Sequence, residues 1–509
     1  MKRKAITFLI LAIITTIAFS LNHNDLTRTT DLDKLIKDVE TKTEKLLSKS
    51  NIPGAAISVL EDGQVTWIGT FGYADLDVKR KVDQNTVFQV ASISKSVTAL
   101  GVMKLVEDGL IHLDDPIENY ITRWQLPESE YDPKAITVRG LLSHTSGLSV
   151  GGGYPGYESN TQLPTLEQSL SGIGGGSKPV ELENEPGARY SYSGGGYNLL
   201  QLMIEEVIGE DFHSYLNEVV LAPLGMENSS FQWDDHLQDK TAKAYDVKLQ
   251  LLPNYIFTEK AAAGLYTTIE DMNKFIIAEI NSFHRSGILE ADTVQEMFSP
   301  ILEVRGFESF INDEAALGHF INHANNRIIV THDGSNNGWK AHFSMEPQTG
   351  NGLIILTNGN NGTYLLNELV SAWYYTNFGI ERQFDQLRHT VMATVYALSI
   401  LILCWSLSVI VNLVSAFIKK ELIVTTYSNK KVLLSKVLIS IVLVSGAFLL
   451  SKISVLILWF IDPFIVILLV TSVFIRTILA VLQLYIRERE IRKHVLKRSM
   501  KKRFLFNNL

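Results

Sequence analysis

Two patterns of hydrophobic and polar positions divide the chain near residue 388. Before that point short apolar runs alternate with polar turns, as is typical of a folded globular body. Beyond it the apolar runs lengthen to more than 20 residues, which is enough for a helix to cross a bilayer. The pattern predicts a membrane region over residues 389–486, with three helices at about 391–418, 432–458 and 464–486.

Basic residues at both ends of the chain set the expected orientation in the membrane. Three basic residues at positions 2–4 precede an uncharged apolar run, so residues 1–21 are either a cleaved signal sequence or an uncleaved anchor. Residues 487–503 hold nine Lys/Arg and two Glu. Positively charged segments stay in the cytoplasm. Three membrane helices would therefore place the body outside the cell and the tail, residues 487–509, in the cytoplasm, whereas four would put the tail outside.

The body, residues 22–388, has strand-like runs at both of its ends and helix-like runs between them. Strands are predicted at residues 52–59, 64–69 and 352–358, and residues 327–339 are predicted to be a strand followed by a turn. The first two are joined by Glu61-Asp62-Gly63, a turn signal. The arrangement predicts one α+β domain with an antiparallel sheet, flanking helices and a helical subdomain. In it the sheet joins the N- and C-terminal parts of the body.

One short stretch carries the clearest chemical signal. Ser92 lies just before the N-terminal end of an apolar helix predicted over residues 96–106. Lys95 follows one turn later, so its ammonium group can reach the Ser92 hydroxyl. A serine hydroxyl becomes nucleophilic when a base takes its proton, and a buried lysine can be that base because burial lowers its pKa. The S-x-x-K spacing is typical of penicilloyl serine transferases. The same spacing recurs at Ser428 and Ser499, and Ser92 alone could be a plain helix N-cap.

Composition narrows the classes of function. Residues 5–418 hold 27 Lys/Arg against 50 Asp/Glu, an acidic balance that argues against nucleic-acid binding. The single cysteine, Cys404, excludes an intramolecular disulfide. His319 and His323 have helical spacing, but no glutamate follows His319 as a zinc protease requires. We therefore predict neither a metal nor another cofactor.

Further motifs stand in order along the body. They are Ile52-Pro53-Gly54-Ala55, Gly72-Tyr73-Ala74, Ser92 with Lys95, Leu113-Asp114-Asp115-Pro116, residues 141–148, Pro186-Gly187 with Tyr192-Ser193, Pro223-Leu224-Gly225-Met226, and His332-Asp333-Gly334. Together they resemble the serine β-lactamase and penicillin-binding protein family, in its class C β-lactamase-related branch, over roughly residues 35–375. The resemblance implies a β-lactamase/transpeptidase-like fold in which Ser92 is the nucleophile and Lys95 its partner.

The resemblance also implies a tyrosine beside the nucleophile. Tyr192 would occupy the family's Tyr-x-Asn element and pass the serine proton to the leaving group. Gly194 replaces the asparagine, so the amide that would bind the substrate carbonyl is missing. Tyr190 is the alternative tyrosine, and a core position is the alternative role for Tyr192. The family's chemistry does not use His144, for which a hydrogen bond within a turn is expected.

A third implied element is His332-x-Gly334 on an edge strand. His332 would donate to a substrate carboxylate or to the tyrosine oxygen, and Gly334 would let the substrate backbone approach the strand. The backbone N–H groups of Ser92 and Ser335 would form the oxyanion hole. The alternative for His332 is a histidine in a surface turn.

These expectations combine into a multi-pass protein of the cell membrane with an extracytoplasmic serine hydrolase body. It would form an acyl-enzyme with amides, esters or lactams, and its substrates would be peptides ending in D-amino acids, β-lactams or small esters. One alternative is a sensor that binds a wall fragment or antibiotic and signals through the C-terminal helices. Another is a transport accessory role for those helices.

Overall fold

The computed structural model describes residues 26–149, 156–174, 178–418, 422–424 and 463–488, together with residues 438, 441, 445 and 446. The predicted signal sequence or anchor lies outside the described residues, as do most of the second predicted membrane helix and the tail beyond residue 488. The chain divides into two compact units. One spans Asp25–Phe384, and the other contains the described residues from Asp385 onward.

Strands and helices follow one another along the described part of the chain. The strands are β1 (Gly54–Glu61), β2 (Gln64–Asp75), β3 (Arg80–Lys81), β4 (Phe88–Gln89), β5 (Tyr157–Glu158), β6 (Tyr255–Ile256), β7 (Tyr266–Thr267), β8 (Leu302–Glu303), β9 (Glu314–Ala315), β10 (Phe320–Ala324), β11 (Arg327–Asn336), β12 (Trp339–Glu346), β13 (Asn351–Thr357), β14 (Leu422–Val424) and β15 (Ile486–Glu488). The helices are α1 (Leu32–Ser50), α2 (Ser94–Glu107), α3 (Val138–Leu142), α4 (Leu166–Leu170), α5 (Gly194–Ile208), α6 (Phe212–Leu216), α7 (Asp235–Gln238), α8 (Lys260–Ala263), α9 (Ile269–His284), α10 (Ala291–Met297), α11 (Gly362–Phe378), α12 (Gln383–Ile418) and α13 (Pro463–Tyr485).

A nine-stranded sheet forms the centre of the body, in the order β3-β2-β1-β13-β12-β11-β10-β9-β8. All its neighbouring strands are antiparallel. β1 pairs with β13 from Ala55 opposite Thr357 to Leu60 opposite Gly352, so the sheet joins the N- and C-terminal parts as predicted. The predicted turn between β1 and β2 is also present. Asp62 and Gly63 both have positive φ, at 52° and 72°, as a two-residue hairpin turn requires.

Helices cover both faces of this sheet. The central run Leu353-Ile354-Ile355-Leu356 is at most 2% exposed, because its side chains are buried on either face. On one face the strands pack in a single core with α2, α5 and α9. On the other face they pack with α1 and α11. An apolar run without alternation is the sequence signal of such a doubly covered strand.

Helix α2 runs through the larger of these cores. Eleven of its fourteen residues are buried, as its apolar composition predicted. Polar side chains on the helix bond to neighbouring backbone. The Ser94 hydroxyl accepts from the Leu265 N–H at 2.9 Å, and the Ser96 hydroxyl donates to the Gly318 carbonyl at 2.7 Å. These bonds fix the depth and rotation of the helix that follows Ser92.

The second unit contains two apolar helices that run in the same direction. Met392 of α12 shares a hydrophobic cluster with Ile465 of α13, and further along both helices the Arg476 guanidinium lies 3.7 Å from the Trp405 ring centroid. Directly after the two helices, β14 pairs with β15. Among the described residues, α12 alone is both long and apolar enough to span a bilayer. A shorter apolar stretch covers Ile465–Ala480 of α13.

Candidate active site

The chain places Ser92 in a tight turn between β4 and α2. Val90 is held by its N–H, which donates to the Leu265 carbonyl at 3.1 Å. Ala91 follows with φ +48°, a left-handed conformation that costs a non-glycine residue of order 1 kcal/mol. Ala91–Ile93 then form one turn of 3₁₀-helix before α2 begins. Strain next to the proposed nucleophile is a feature that the sequence pattern did not predict.

Lys95 reaches Ser92, as the spacing of three residues predicted. Its Nζ lies 3.1 Å from the Ser92 Oγ and 2.6 Å from the Ala262 carbonyl oxygen. The lysine side chain is fully buried, whereas Ser92 is half-buried and so can meet a substrate. Burial lowers the pKa of the Lys95 ammonium to about 7, and the Glu308 carboxylate opposes that shift. At neutral pH a large fraction of Lys95 is therefore an uncharged amine beside the hydroxyl.

Tyr192 lies next to this pair. The Lys95 Nζ is 5.0 Å from the Tyr192 ring centroid, and the ring is half-buried at the end of the loop before α5. Tyr190 points elsewhere, because its hydroxyl donates to Glu308. Burial, reinforced by the Glu308 charge, raises the pKa of Tyr190 above its usual value. The arrangement favours Tyr192 over Tyr190 as the tyrosine beside Lys95, while its role in proton transfer stays a prediction.

His144 holds this tyrosine loop in position. Its Nδ1 accepts a hydrogen bond from the Ser193 N–H at 3.1 Å, and its ring lies 4.3 Å from the Tyr192 ring, centroid to centroid. Burial, together with the charge on Lys95, holds the pKa of His144 well below its usual 6.5. The residue is thus a neutral hydrogen-bond acceptor for the backbone, in line with the expectation of a structural bond.

His332 is buried in β11 and does not lie in a surface turn, so that alternative is wrong. The ladder between β10 and β11 ends at Thr331, which leaves His332 at a locally open edge of the sheet. Its Nδ1 lies 2.8 Å from the Asp333 carbonyl oxygen, and a carbonyl only accepts, so Nδ1 carries the proton. Burial, followed by the Lys95 charge, lowers the pKa of His332 to about 3. In this neutral form Nε2 is an acceptor, and the expected donation to a substrate carboxylate or to the tyrosine oxygen stays a prediction.

Gly334 admits a neighbouring segment of the chain itself, and the expected approach of a substrate backbone stays a prediction. A Cβ built at Gly334 would lie 2.1 Å from the Val90 carbonyl oxygen. The missing side chain therefore lets the turn that carries Ser92 pack against β11. Ser335 lies on the opposite face of β11, where its hydroxyl accepts from Lys340. The predicted oxyanion role of the Ser92 and Ser335 N–H groups involves backbone only and stays a prediction.

Two contributors to the site had no signal in the sequence pattern. Ala262 in α8 offers only a backbone carbonyl, which any residue could supply. Glu308 lies on the 3₁₀ turn Gly306–Phe310, and its charge acts on Lys95. Neither belongs to a recognisable motif, and both reach the site from more than 160 residues away along the chain. Within the described part of the chain no cluster of metal ligands occurs.

The geometry fits one class of protein: serine hydrolases in which a lysine, rather than a histidine, lies beside the candidate nucleophile. Comparison with known families agrees with this class. The family model described as Beta-lactamase matches residues 35–369, which is well over half of the chain. The chain belongs to the beta-lactamase family of serine hydrolases.

Related sequences and structures extend this assignment. The protein is similar to Protein flp of Staphylococcus aureus strain NCTC 8325, at 25% identity over 64% of this chain and 63% of that protein, so the match spans less than two thirds of this relative. It is also similar to Penicillin-binding protein 4* of Bacillus subtilis strain 168, at 30% identity over 38% of this chain and 41% of that one.

A solved structure with the same fold is the octameric penicillin-binding protein homologue from Pyrococcus abyssi. Its TM-score is 0.60, with 24% identity over 70% of this chain and 82% of that one. Another is EstCE1, described as a hydrolase with promiscuous acyltransferase activity. Its TM-score is 0.55, with 22% identity over 67% of this chain and 98% of that one. The shared fold confirms the predicted β-lactamase/transpeptidase-like architecture of the body.

Proposed function

We propose that this protein is a membrane-tethered, extracytoplasmic serine hydrolase that works through an acyl-enzyme. One observation carries the proposal: the buried Lys95 Nζ lies 3.1 Å from the Ser92 Oγ, in surroundings that lower the pKa of the ammonium to about 7. A neutral amine at hydrogen-bond distance is what activation of a serine hydroxyl requires. Amides, esters and lactams are the candidate substrates, among them peptides ending in D-amino acids, β-lactams and small esters.

In the proposed reaction Ser92 attacks the carbonyl carbon while its proton moves to Lys95. The tetrahedral oxyanion is stabilised by the backbone N–H groups of Ser92 and Ser335. Lys95 passes this proton to Tyr192, which gives its own hydroxyl proton to the leaving group as the bond between the leaving group and the carbonyl carbon breaks, leaving an ester on Ser92. Water then attacks this ester, the acid product departs, and Ser92 regains its proton.

The described C-terminal helices are compatible with the proposed membrane tether. Helix α12 is long and apolar enough to span a bilayer, and α13 contains a shorter apolar stretch, Ile465–Ala480. In the proposed topology three spans would put the body outside the cell and the basic tail in the cytoplasm, as the positive-inside rule asks.

A binding protein with slow turnover is the second candidate. The observation that favours it is the packed pair α12 and α13, which is more than a single anchor needs, with Arg476 buried against the Trp405 ring. Such a protein would retain the acyl group on Ser92 and transmit its presence through the helices.

Intact-mass analysis of the full chain in detergent separates these candidates. The protein would be exposed to a labelled penicillin and, separately, to a fluorophosphonate, beside Ser92→Ala and the control Ser159→Ala, which removes an exposed hydroxyl. We expect an adduct with at least one reagent in the wild-type and control proteins, and none in Ser92→Ala. A penicilloyl adduct that persists for hours would favour the binding protein. Folded protein without any Ser92-dependent adduct would exclude the proposed function.

Cysteine labelling tests the topology in a Cys404→Ser background. With three spans and an exported body, Ser159→Cys is labelled by a membrane-impermeant maleimide on intact cells. Asn508→Cys is labelled only after the cells are opened. Labelling of both sites on intact cells would contradict an odd number of C-terminal spans.

A further inference from the structure

Glu308 is a carboxylate beside the proposed active site with no part in the proposed mechanism. It is half-buried on the 3₁₀ turn Gly306–Phe310, and one of its oxygens accepts from the Tyr190 hydroxyl. Burial raises the pKa of Glu308, while the Tyr190 hydrogen bond and the Lys95 charge favour its ionised form. An acid placed here influences which charges the site accepts.

Ring contacts locate Glu308 on the Tyr192 side of the site. The Tyr190 ring, whose hydroxyl holds Glu308, lies 6.1 Å from the Phe320 ring centroid, and Tyr192 stacks on the same Phe320 at 6.5 Å. In the proposed mechanism Tyr192 protonates the leaving group. The leaving group therefore lies on the side of the site where Glu308 lies.

The nearest cation, Lys95, is held inside the protein. Its side chain is fully buried, and its Nζ donates to the Ser92 hydroxyl and to the Ala262 carbonyl. The Lys95 charge favours the ionised form of Glu308, and the charge on Asp333, a second acid, opposes it. Of the other cations, Lys340 donates to the Ser335 hydroxyl, and the Arg382 charge acts on Asp333.

His332 adds to this preference. Because its Nδ1 proton is used by the Asp333 carbonyl, the neutral ring offers Nε2 as an acceptor. A substrate carboxylate is also acceptor-only, so it can form no hydrogen bond with that nitrogen. A hydroxyl, amide N–H or ammonium group on the leaving group could donate to it.

Building on the proposed function, we propose that this site hydrolyses esters, thioesters or amides whose leaving group is uncharged or cationic, and that Glu308 selects against a leaving-group carboxylate. This preference separates the substrate classes left open above. It disfavours peptides that lose a C-terminal D-amino acid, since that leaving group carries a carboxylate beside the scissile bond. It favours esters of neutral or amine-bearing alcohols.

Three acetyl thioesters with different leaving groups test the preference on the full chain in detergent. They are acetylthiocholine, with a cationic leaving group, S-butyl thioacetate, with a neutral one, and S-acetyl-3-mercaptopropionate, with an anionic one. In each case the acetyl group passes to Ser92 and the thiol leaves with the proton from Tyr192, so a thiol reagent follows the reaction. For each thioester, the wild-type kcat/KM is divided by the kcat/KM of a variant with the same thioester. This division cancels the intrinsic reactivity of the thioester.

We expect Glu308→Gln to lower the cationic-to-anionic ratio of kcat/KM by about tenfold or more, while turnover of the neutral thioester changes less. The matched control Glu303→Gln removes an exposed acid and should leave the ratio unchanged. An unchanged ratio in Glu308→Gln, or a wild-type preference for the anionic thioester, would overturn the inference and leave the proposed function intact. If the wild-type protein shows no Ser92-dependent turnover of any of the three thioesters, the proposed function itself is overturned.

The wild-type protein gives a second readout that does not depend on the folding of a variant. If Glu308 acts through its charge, raising the ionic strength should move the cationic-to-anionic ratio toward that of Glu308→Gln, because salt screens the half-buried carboxylate. A ratio that does not respond to salt would contradict the electrostatic origin.

Discussion

The pH dependence of catalysis tests the proposed role of Lys95 most directly. Burial lowers the pKa of its ammonium from the usual 10.5 to about 7. An ordinary lysine would be neutral in about one molecule in 3,000 at pH 7, whereas here about half of the molecules carry the neutral amine. The structure therefore raises the fraction of usable base by roughly a thousandfold at neutral pH.

The expected profile follows from the protonation state. If neutral Lys95 takes the Ser92 proton, kcat/KM rises with pH, levels off above about 7, and falls about tenfold for each pH unit well below that value. The Glu308 charge raises the pKa of Lys95, so Glu308→Gln should move the acid limb to lower pH. The control Glu303→Gln removes an exposed acid and should leave the acid limb at the same pH.

The assay is kcat/KM for a neutral ester without ionisable groups, measured from pH 5 to 10 on the full chain, with circular dichroism confirming that the fold persists. If the acid limb of the pH profile has its midpoint near the usual lysine pKa, Lys95 is not desolvated as the structure indicates. A rate that falls as pH rises through 7 would show that the protonated ammonium is the active form. It would transfer the role of base to Tyr192.

Two further predictions concern the packing around the site, and both can be read from the unfolding midpoint of the full chain in detergent. Gly334→Ala should destabilise the body by about 1–3 kcal/mol, because its Cβ would meet the Val90 carbonyl oxygen at 2.1 Å. Gly196→Ala, whose Cβ would have its nearest neighbour at 3.4 Å, should be neutral or stabilising, and equal midpoints would contradict the proposed packing. His144→Phe leaves the Ser193 N–H without its acceptor and should cost about 1–3 kcal/mol and lower kcat. His144→Asn should retain more of both, because asparagine offers an acceptor and tolerates the observed φ of +58°, and the reverse order would refute this role.

Local sequence determined those features that depend on neighbours along the chain. The spacing of three residues brings Lys95 to Ser92 because residues one turn apart share a helix face. Apolar composition on every side predicted the burial of α2, and Asp62-Gly63 predicted the hairpin between β1 and β2. Long apolar runs predicted α12 in the same way. The order of motifs, through the family resemblance, added the fold and the residues expected around Ser92.

Tertiary structure decided how distant segments meet, and hence the charges and protonation states of the site. The Ala262 carbonyl and the Glu308 carboxylate reach Lys95 only after folding, and no local pattern marks either of them. The pKa of Lys95 depends on burial, which belongs to the packed domain and not to the residue. The Asp333 carbonyl engages the Nδ1 of His332, a contact that the motif alone did not predict. Gly334 lets the Val90 carbonyl approach β11, because the space around a residue is set by the segment that packs against it.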